Sequence, residues 1–282
     1  MKNIKLKCPA KINLTLEVLN KRDDGFHNIK SIMQMISLYD YLDITIEESD
    51  KTEIFLGGNS AEIPYDSRNL VYKAAELFLN KTGKTAKVEI EIEKNIPISA
   101  GLAGGSTDGA GTLYGLNELF GRSVSKYELH NLCAQLGSDL NVCLEGGTLL
   151  ATSRGECIEK LKTIQMPVTL IKPKKLGISA GEAYAKYAKK EIKPQNHMTE
   201  KMLNALENGE DIKPYLYNDL EYAVFDDYKE LQVIKSKLPN SIMSGSGSTY
   251  FILEDLKDIE FSDEYEVICG AEFVPNGVGI AD

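Results

Sequence analysis

Apolar and polar residues alternate from Lys11 to Val18, with Ile12, Leu14, Leu16 and Val18 on one side and Lys11, Asn13, Thr15 and Glu17 on the other. This period of two predicts a half-buried strand with a polar second face. The Asp-Asp-Gly within Lys21 to His27 is a turn signal. Tyr41 to Glu47, Glu53 to Leu56 and Lys87 to Glu93 read as further strands. Leu70, Ala74, Leu77 and Phe78 form a helical stripe that Gly83 stops. A run of small residues, Ser99 to Gly111, leads into a helix marked by Ala110, Leu113, Leu116 or Asn117, and Phe120, ending near Gly121. Ser125 with Glu128 is a capping box for the helix of Leu129, Leu132, Cys133 and Leu136, which Gly137 ends. Gly146-Gly147 opens a β-rich stretch to about Ile171. Ala183 to Pro214 is polar and helical in character, and Asn218 to Leu238 reads as one long helix. Ser241 to Leu253 joins a Gly/Ser loop to an apolar strand. Strands and helices interleave, which predicts an α/β (α+β) fold of two lobes, residues 1–155 and 156–282, meeting near Gly155.

Composition narrows the function. The chain has 282 residues, and 32 basic against 42 acidic side chains give a net charge of −10. That balance speaks against a general nucleic-acid or anionic-membrane binder, although local geometry can still build a phosphate site. Cys8, Cys133, Cys143, Cys157 and Cys269 form no Cys-x-x-Cys pair, so they read as reduced thiols of a cytoplasmic protein. Met1 to Lys7 lacks the apolar core of a signal peptide. No run reaches the ~18 apolar residues of a membrane span.

The segment Ile96-Pro97-Ile98-Ser99-Ala100-Gly101-Leu102-Ala103-Gly104-Gly105-Ser106-Thr107-Asp108 follows a strand and precedes a helix. Glycines let a backbone approach a ligand closely, and successive N–H groups at a helix start attract phosphate. Ser106 and Thr107 add hydroxyls that can donate to phosphate or reach a magnesium ion. The same composition also suits a plain glycine-rich turn. Gly83-Lys84-Thr85 imitates the end of a Walker A loop, but Phe78 stands where its first glycine is required. Gly245-Ser246-Gly247 lacks the third glycine of a dinucleotide fingerprint.

Three segments occur in order: Pro9-Ala10-Lys11-Ile12-Asn13-Leu14 with Arg22-Asp23-Asp24-Gly25-Phe26-His27 after it, the loop above, and Met243-Ser244-Gly245-Ser246-Gly247-Ser248. Together they resemble the GHMP small-molecule kinase superfamily, and within it the branch acting on a cytidine diphosphate-linked methylerythritol. Asn69-Leu70, Gly137-Ser138-Asp139, Gly146-Gly147-Thr148, Arg154-Gly155-Glu156 and Asn218-Asp219-Leu220 extend the likeness along nearly the whole chain. The resemblance implies ATP, with Mg²⁺, in a cleft between two lobes, its phosphates over Pro97 to Thr107. It implies a catalytic pair at Lys11 and Asp139, cytidine recognition at His27 and Asn13, and Asn69 near the adenine. The magnesium ligands are not named by any motif. Departures from the family pattern are Ala103, Thr107 and Gly109 in the loop, Leu140-Asn141-Val142 after Asp139, and Phe26 in place of a tyrosine.

Each residue has a plainer reading beside that one. Asp139 could cap a helix, Lys11 could be a solvated lysine, and Asn69 could be an N-cap. As a pair, Asp139 would act as base and Lys11 would keep it ionised. His27 could be a surface residue, or with the Phe26 ring could read a pyrimidine edge. Tyr184 could supply an opposing ring, or serve as an ordinary core or surface tyrosine. The Ser244–Ser248 loop could donate N–H groups to phosphate or substrate, or simply turn the chain. Two rival functions stand: another GHMP kinase of mevalonate or homoserine type, and a non-catalytic ligand sensor. The Gly-Phe-His turn and the Asp219-Leu220 after Asn218 favour the cytidyl branch, and keeping both Lys11 and Asp139 speaks against a sensor.

Overall fold

The computed structural model describes residues 1–190 and 197–281. The expected helical stretch from Ala183 to Pro214 therefore falls partly on 191–196, outside the described residues. The chain opens with a long antiparallel hairpin of β1 (Lys2–Lys21) and β2 (His27–Glu48). Then come β3 (Glu53–Gly58), α1 (Leu70–Thr82), β4 (Ala86–Glu93), α2 (Gly104–Leu119), α3 (Lys126–Leu136), α4 (Leu140–Glu145), β5 (Thr148–Ser153) and β6 (Cys157–Lys160). The rest of the chain gives β7 (Pro167–Pro173), α5 (Ala180–Lys189), α6 (Met198–Asn208), β8 (Tyr217–Asn218), α7 (Asp219–Val224), α8 (Lys229–Lys237), β9 (Ile242–Met243), β10 (Tyr250–Ile252), β11 (Tyr265–Glu272) and β12 (Gly279–Ile280).

One sheet runs β12-β1-β2-β4-β3, with β5 also on β2, β6 on β5 and β8 on β1. The second runs β11-β7-β10-β9. The division of the chain near Gly155 stays a proposal. The sheets change between Lys160 and Pro167, and Gly279–Ile280 returns to the first. Among the described residues no helix is long and apolar enough to cross a membrane.

The alternation in β1 is real, but its polar side is not a solvent face. Lys11, Asn13, Thr15 and Glu17 are all buried. The reason is sheet position: β1 is central, and both of its faces are covered. Its register against β2 shifts between Pro9 and Ala10. Before that shift Leu6 and Cys8 pack in the core of α1, α2 and the first sheet. After it Ala10, Ile12 and Leu14 pack in the core between the two sheets. Such an irregularity re-aims side chains, and here it leaves Lys11 and Asn13 on a cavity wall.

The single helix expected over Asn218 to Leu238 is broken. Asn218 caps α7, and Tyr228 is extended (φ −129°, ψ 112°) before α8 starts. The Tyr228 hydroxyl lies between Lys186 and Glu182 of α5, a tertiary anchor that outweighs the helical pattern. The capping box at Ser125 and Glu128 forms, and Gly83, at φ 64°, ends α1.

Candidate active site

A cavity of about 650 Å³ opens where β1, the hairpin turn, α5 and the loops before α2 and α4 converge. Lys11 and Asp139 face each other in it. The Lys11 ammonium is 3.4 Å from Asp139 Oδ2 and donates to Asn13 Oδ1 at 2.7 Å. Its side chain is 5% exposed, so Lys11 is not a solvated lysine. Asp139 occupies the position before α4, yet its side chain makes no capping bond. The carboxylate, 29% exposed, is turned to the lysine and the cavity instead.

Asn13 is committed on both sides of its amide: Oδ1 accepts from Lys11, and Nδ2 donates to Ser31 Oγ at 2.9 Å. It orients the lysine through the first of these bonds.

The phosphate-loop residues divide. Gly101, Ala103 and Ser106 line the cavity. Gly105 is exposed, and a β-carbon added there would meet nothing within 4 Å. Ala100 and Leu102 turn their side chains into the core, and the Leu102 carbonyl accepts from Lys11 N at 3.0 Å. Pro97, Ile98 and Ser99 form the approach to the loop and do not line the cavity. Thr107 is fully buried beside the Cys143 thiol, and its N–H bonds to the Ala103 carbonyl, so neither its hydroxyl nor its amide opens on the cavity. Ala103 itself sits in the left-handed region at φ 60°, ψ 27°, as the residue before α2. Gly104 lies against the Lys94 ammonium.

Lys94 was invisible to motif reasoning. It donates to Asp108 Oδ2 at 2.9 Å and to Asp40, the three side chains shielded from solvent beside the start of α2. Asp40 also accepts from the N–H groups of Asn95 and Ile96. Positions 40, 94 and 108 are too far apart in sequence for any spacing to announce them.

His27 stacks on Tyr184 with ring centroids 5.3 Å apart and 14° between planes. Phe26 is 51% exposed and carries the Arg154 guanidinium over its ring at 5.1 Å. Burial lowers the His27 pKa, helped by the Lys21 ammonium, and so favours the neutral imidazole. Burial, then the Asp139 and Asp219 carboxylates, push the Tyr184 phenol up. Arg154 lines the cavity and is held by Glu156; the sequence offered it only as part of a motif.

Asn69 does not line the cavity. Its Oδ1 accepts from Val71 N at 2.9 Å and its Nδ2 donates to the Pro64 carbonyl at 2.7 Å, so it caps α1. In the Gly/Ser loop, Gly245 and Ser246 reach the cavity. The N–H groups of Ser244 and Gly247 are used within the turn, by the Thr249 and Ser244 carbonyls.

A lysine–carboxylate pair on a cavity wall beside a glycine-rich helix start is the geometry described above, and the comparisons supply the family. The sequence profile described as GHMP kinases N terminal domain matches residues 69–147. A solved homoserine kinase from Cytophaga hutchinsonii shares the fold with a TM-score of 0.73, at 17% identity over 100% of this chain and 98% of its own. The chain is a small-molecule kinase of GHMP type. A 4-diphosphocytidyl-2-C-methyl-D-erythritol kinase of Carboxydothermus hydrogenoformans is 41% identical over 258 residues, 89% of this chain and 88% of that protein. The crystal structure of a 4-(cytidine 5'-diphospho)-2C-methyl-D-erythritol kinase superposes with a TM-score of 0.76 at 29% identity, covering 96% of this chain and all of the other. The chain belongs to the 4-diphosphocytidyl-2-C-methyl-D-erythritol kinase family.

Proposed function

We propose that this protein transfers the γ-phosphoryl group of ATP to the 2-hydroxyl of 4-diphosphocytidyl-2-C-methyl-D-erythritol, in the cytoplasm, as a step of isoprenoid precursor synthesis. The observation that carries this reading is the Lys11–Asp139 pair, 3.4 Å apart, in a cavity with the α2 start on one side and the His27–Tyr184 rings on another. Five free thiols suit a reducing compartment.

Phosphoryl transfer asks for in-line placement, charge neutralisation and a destination for the hydroxyl proton. Asp139 Oδ2 takes that proton. Lys11, fixed by Asn13, faces that carboxylate at 3.4 Å and orients the attacking oxygen. Gly101, Ala103, Gly105 and Ser106 present the cradle for the ATP phosphates, with the positive end of the sixteen-residue α2 behind it. Mg²⁺ would offset charge on the phosphates. The Ser106 hydroxyl and the Asp139 carboxylate share the cavity wall and are oxygen donors of the kind and number it uses besides phosphates and waters. Neutral His27, with one donor and one acceptor nitrogen, and the Asn13 amide suit the edge of a cytosine. The Phe26 and Tyr184 rings offer flat apolar contact.

The test is ADP release with 4-diphosphocytidyl-2-C-methyl-D-erythritol, mevalonate and homoserine as acceptors, with CMP and UMP as competitors. Turnover with the cytidyl acceptor alone, inhibited by CMP far more than by UMP, is expected. Equal inhibition by the two nucleotides, or preference for another acceptor, would overturn the reading.

A further inference from the structure

Ser244 is fully buried and touches neither proposed ligand wall with a free group. Its hydroxyl nevertheless joins the two walls. It accepts from the Asn13 main-chain N–H at 3.3 Å and donates to the Gly101 carbonyl at 2.9 Å. Asn13 belongs to the strand that carries Lys11, and Gly101 belongs to the phosphate loop. The join is tight on every side. Gly101 is at φ 73°, and a β-carbon there would collide with the Ser244 carbonyl. A β-carbon on Gly245 would lie 3.2 Å from the Lys11 ammonium and 3.3 Å from Asn13 Oδ1. The Asn218 amide donates to the carbonyls of Met243 and Gly245, at 2.6 and 2.8 Å, and so holds the residues on both sides of Ser244. Thr249 N adds a bond to the Ala100 carbonyl at 3.3 Å.

We propose that Ser244 is a positioning residue that sets the separation between the phosphate loop and the Lys11–Asn13 strand, and with it the distance between the donor phosphate and the acceptor hydroxyl. The inference rests on the phosphotransfer reading above. Each wall keeps its own ligand contacts without Ser244, because the cavity-facing groups are Gly101, Ala103 and Ser106 on one side and Asn13, His27 and Tyr184 on the other. The main-chain bond from Lys11 N to the Leu102 carbonyl, at 3.0 Å, already ties the two walls at one point, and the hydroxyl adds the second point that fixes their mutual placement. Without it, the buried Asn13 N–H and the half-buried Gly101 C=O lose their partner, and two polar groups in that state draw apart or admit water. Transfer is sensitive to such a change, since a displacement of about 1 Å can cost roughly 10²-fold in rate.

The experiment is Ser244→Ala in the full chain, with kcat measured per folded molecule. Equilibrium binding of a non-hydrolysable ATP analogue and of CDP is measured separately, and thermal unfolding monitors the fold. The expected result is a kcat lowered by roughly 10- to 100-fold, with both dissociation constants within about threefold of wild type. Should the alanine variant not fold, Ser244→Cys, close in size and a weak donor, carries the same expectation. A kcat within threefold of wild type overturns the proposal. So does a rate loss matched by equal loss of affinity for either ligand. If wild type itself phosphorylates no cytidyl acceptor, the functional reading falls and this inference with it. If wild type turns over and the variant matches it, this inference alone falls.

Discussion

Asp139→Asn separates chemistry from architecture more cleanly than any other single change at this site. Asn keeps the shape of the side chain and an oxygen for Lys11, but it cannot take a proton. The structural loss is confined to the charge of one pair, 3.4 Å apart and 29% exposed on the carboxylate side, with no capping bond to forfeit. Lys11 retains its 2.7 Å bond to Asn13. A partly exposed pair is worth about 1 kcal/mol, which corresponds to a fall in Tm of roughly 2–4 °C. The chemical loss is larger. A positioned general base contributes roughly 10²–10⁴-fold, or about 3–6 kcal/mol at about 1.4 kcal/mol per decade. The assay is coupled ADP release at saturating acceptor, beside calorimetry and ATP-analogue binding on the same preparation. A kcat down at least 10²-fold, with nucleotide affinity intact and Tm within about 4 °C, is the expected pattern. Near-normal turnover in a folded variant would remove Asp139 as base. A large drop in Tm would instead make it a structural residue.

Three further expectations follow from individual backbones and burials. Gly105→Val meets open space, so the fold should hold while ATP affinity falls by at least tenfold; unchanged affinity by titration calorimetry would mean that Gly105 does not face the phosphates. Ala103→Gly removes a side chain from the left-handed region, a conformation costing roughly 1–2 kcal/mol, against roughly 0.4–1 kcal/mol of added chain entropy. A net gain of about 1 kcal/mol in urea unfolding is expected, and a loss would show that the methyl packing dominates. Asp219 is buried, and burial, opposed by its bonds from Tyr217 and Val18, raises its pKa to about 6. The folded state thus holds a proton that the unfolded chain releases near pH 4. Its contribution to stability is complete below about pH 4 and is lost as pH rises toward and through 6. Asp219→Asn should flatten that part of the stability–pH curve, and an unchanged slope would refute the assignment.

Legibility from the sequence tracked locality. The glycine-rich loop before α2 is legible as a loop because glycine and serine declare backbone geometry over a dozen adjacent positions. The α1 stop at Gly83 and the box at Ser125 and Glu128 are equally local. The Lys11 strand was read correctly as a strand and wrongly as having an open polar face, because alternation reports period and not what covers the second face. The helix break at Tyr228 depends on a contact with α5, forty-odd positions earlier, and the helical pattern gives no hint of it. The Lys94–Asp40–Asp108 cluster and the stacking of Tyr184 on His27 are likewise made by the fold. Asn69 shows the opposite case: its plain capping role, visible from its place before a helix, is the one the structure displays.

The return of β12 to the first sheet bears on how the protein comes off the ribosome. The strand with Lys11 is made well before two of its partners, since its pairs Leu6–Ile280 and Thr15–Tyr217 join it to parts synthesised much later. At about 5–20 residues per second, roughly 15–50 s pass between the making of β1 and of β12. Throughout that interval the nascent strand presents unpaired main-chain groups along one edge, a template for pairing with other chains. The Lys11 strand therefore waits for its last partner until β12 is made. Crowded polysomes, where neighbouring nascent copies carry the same open edge, are the setting in which this topology is most prone to misassembly.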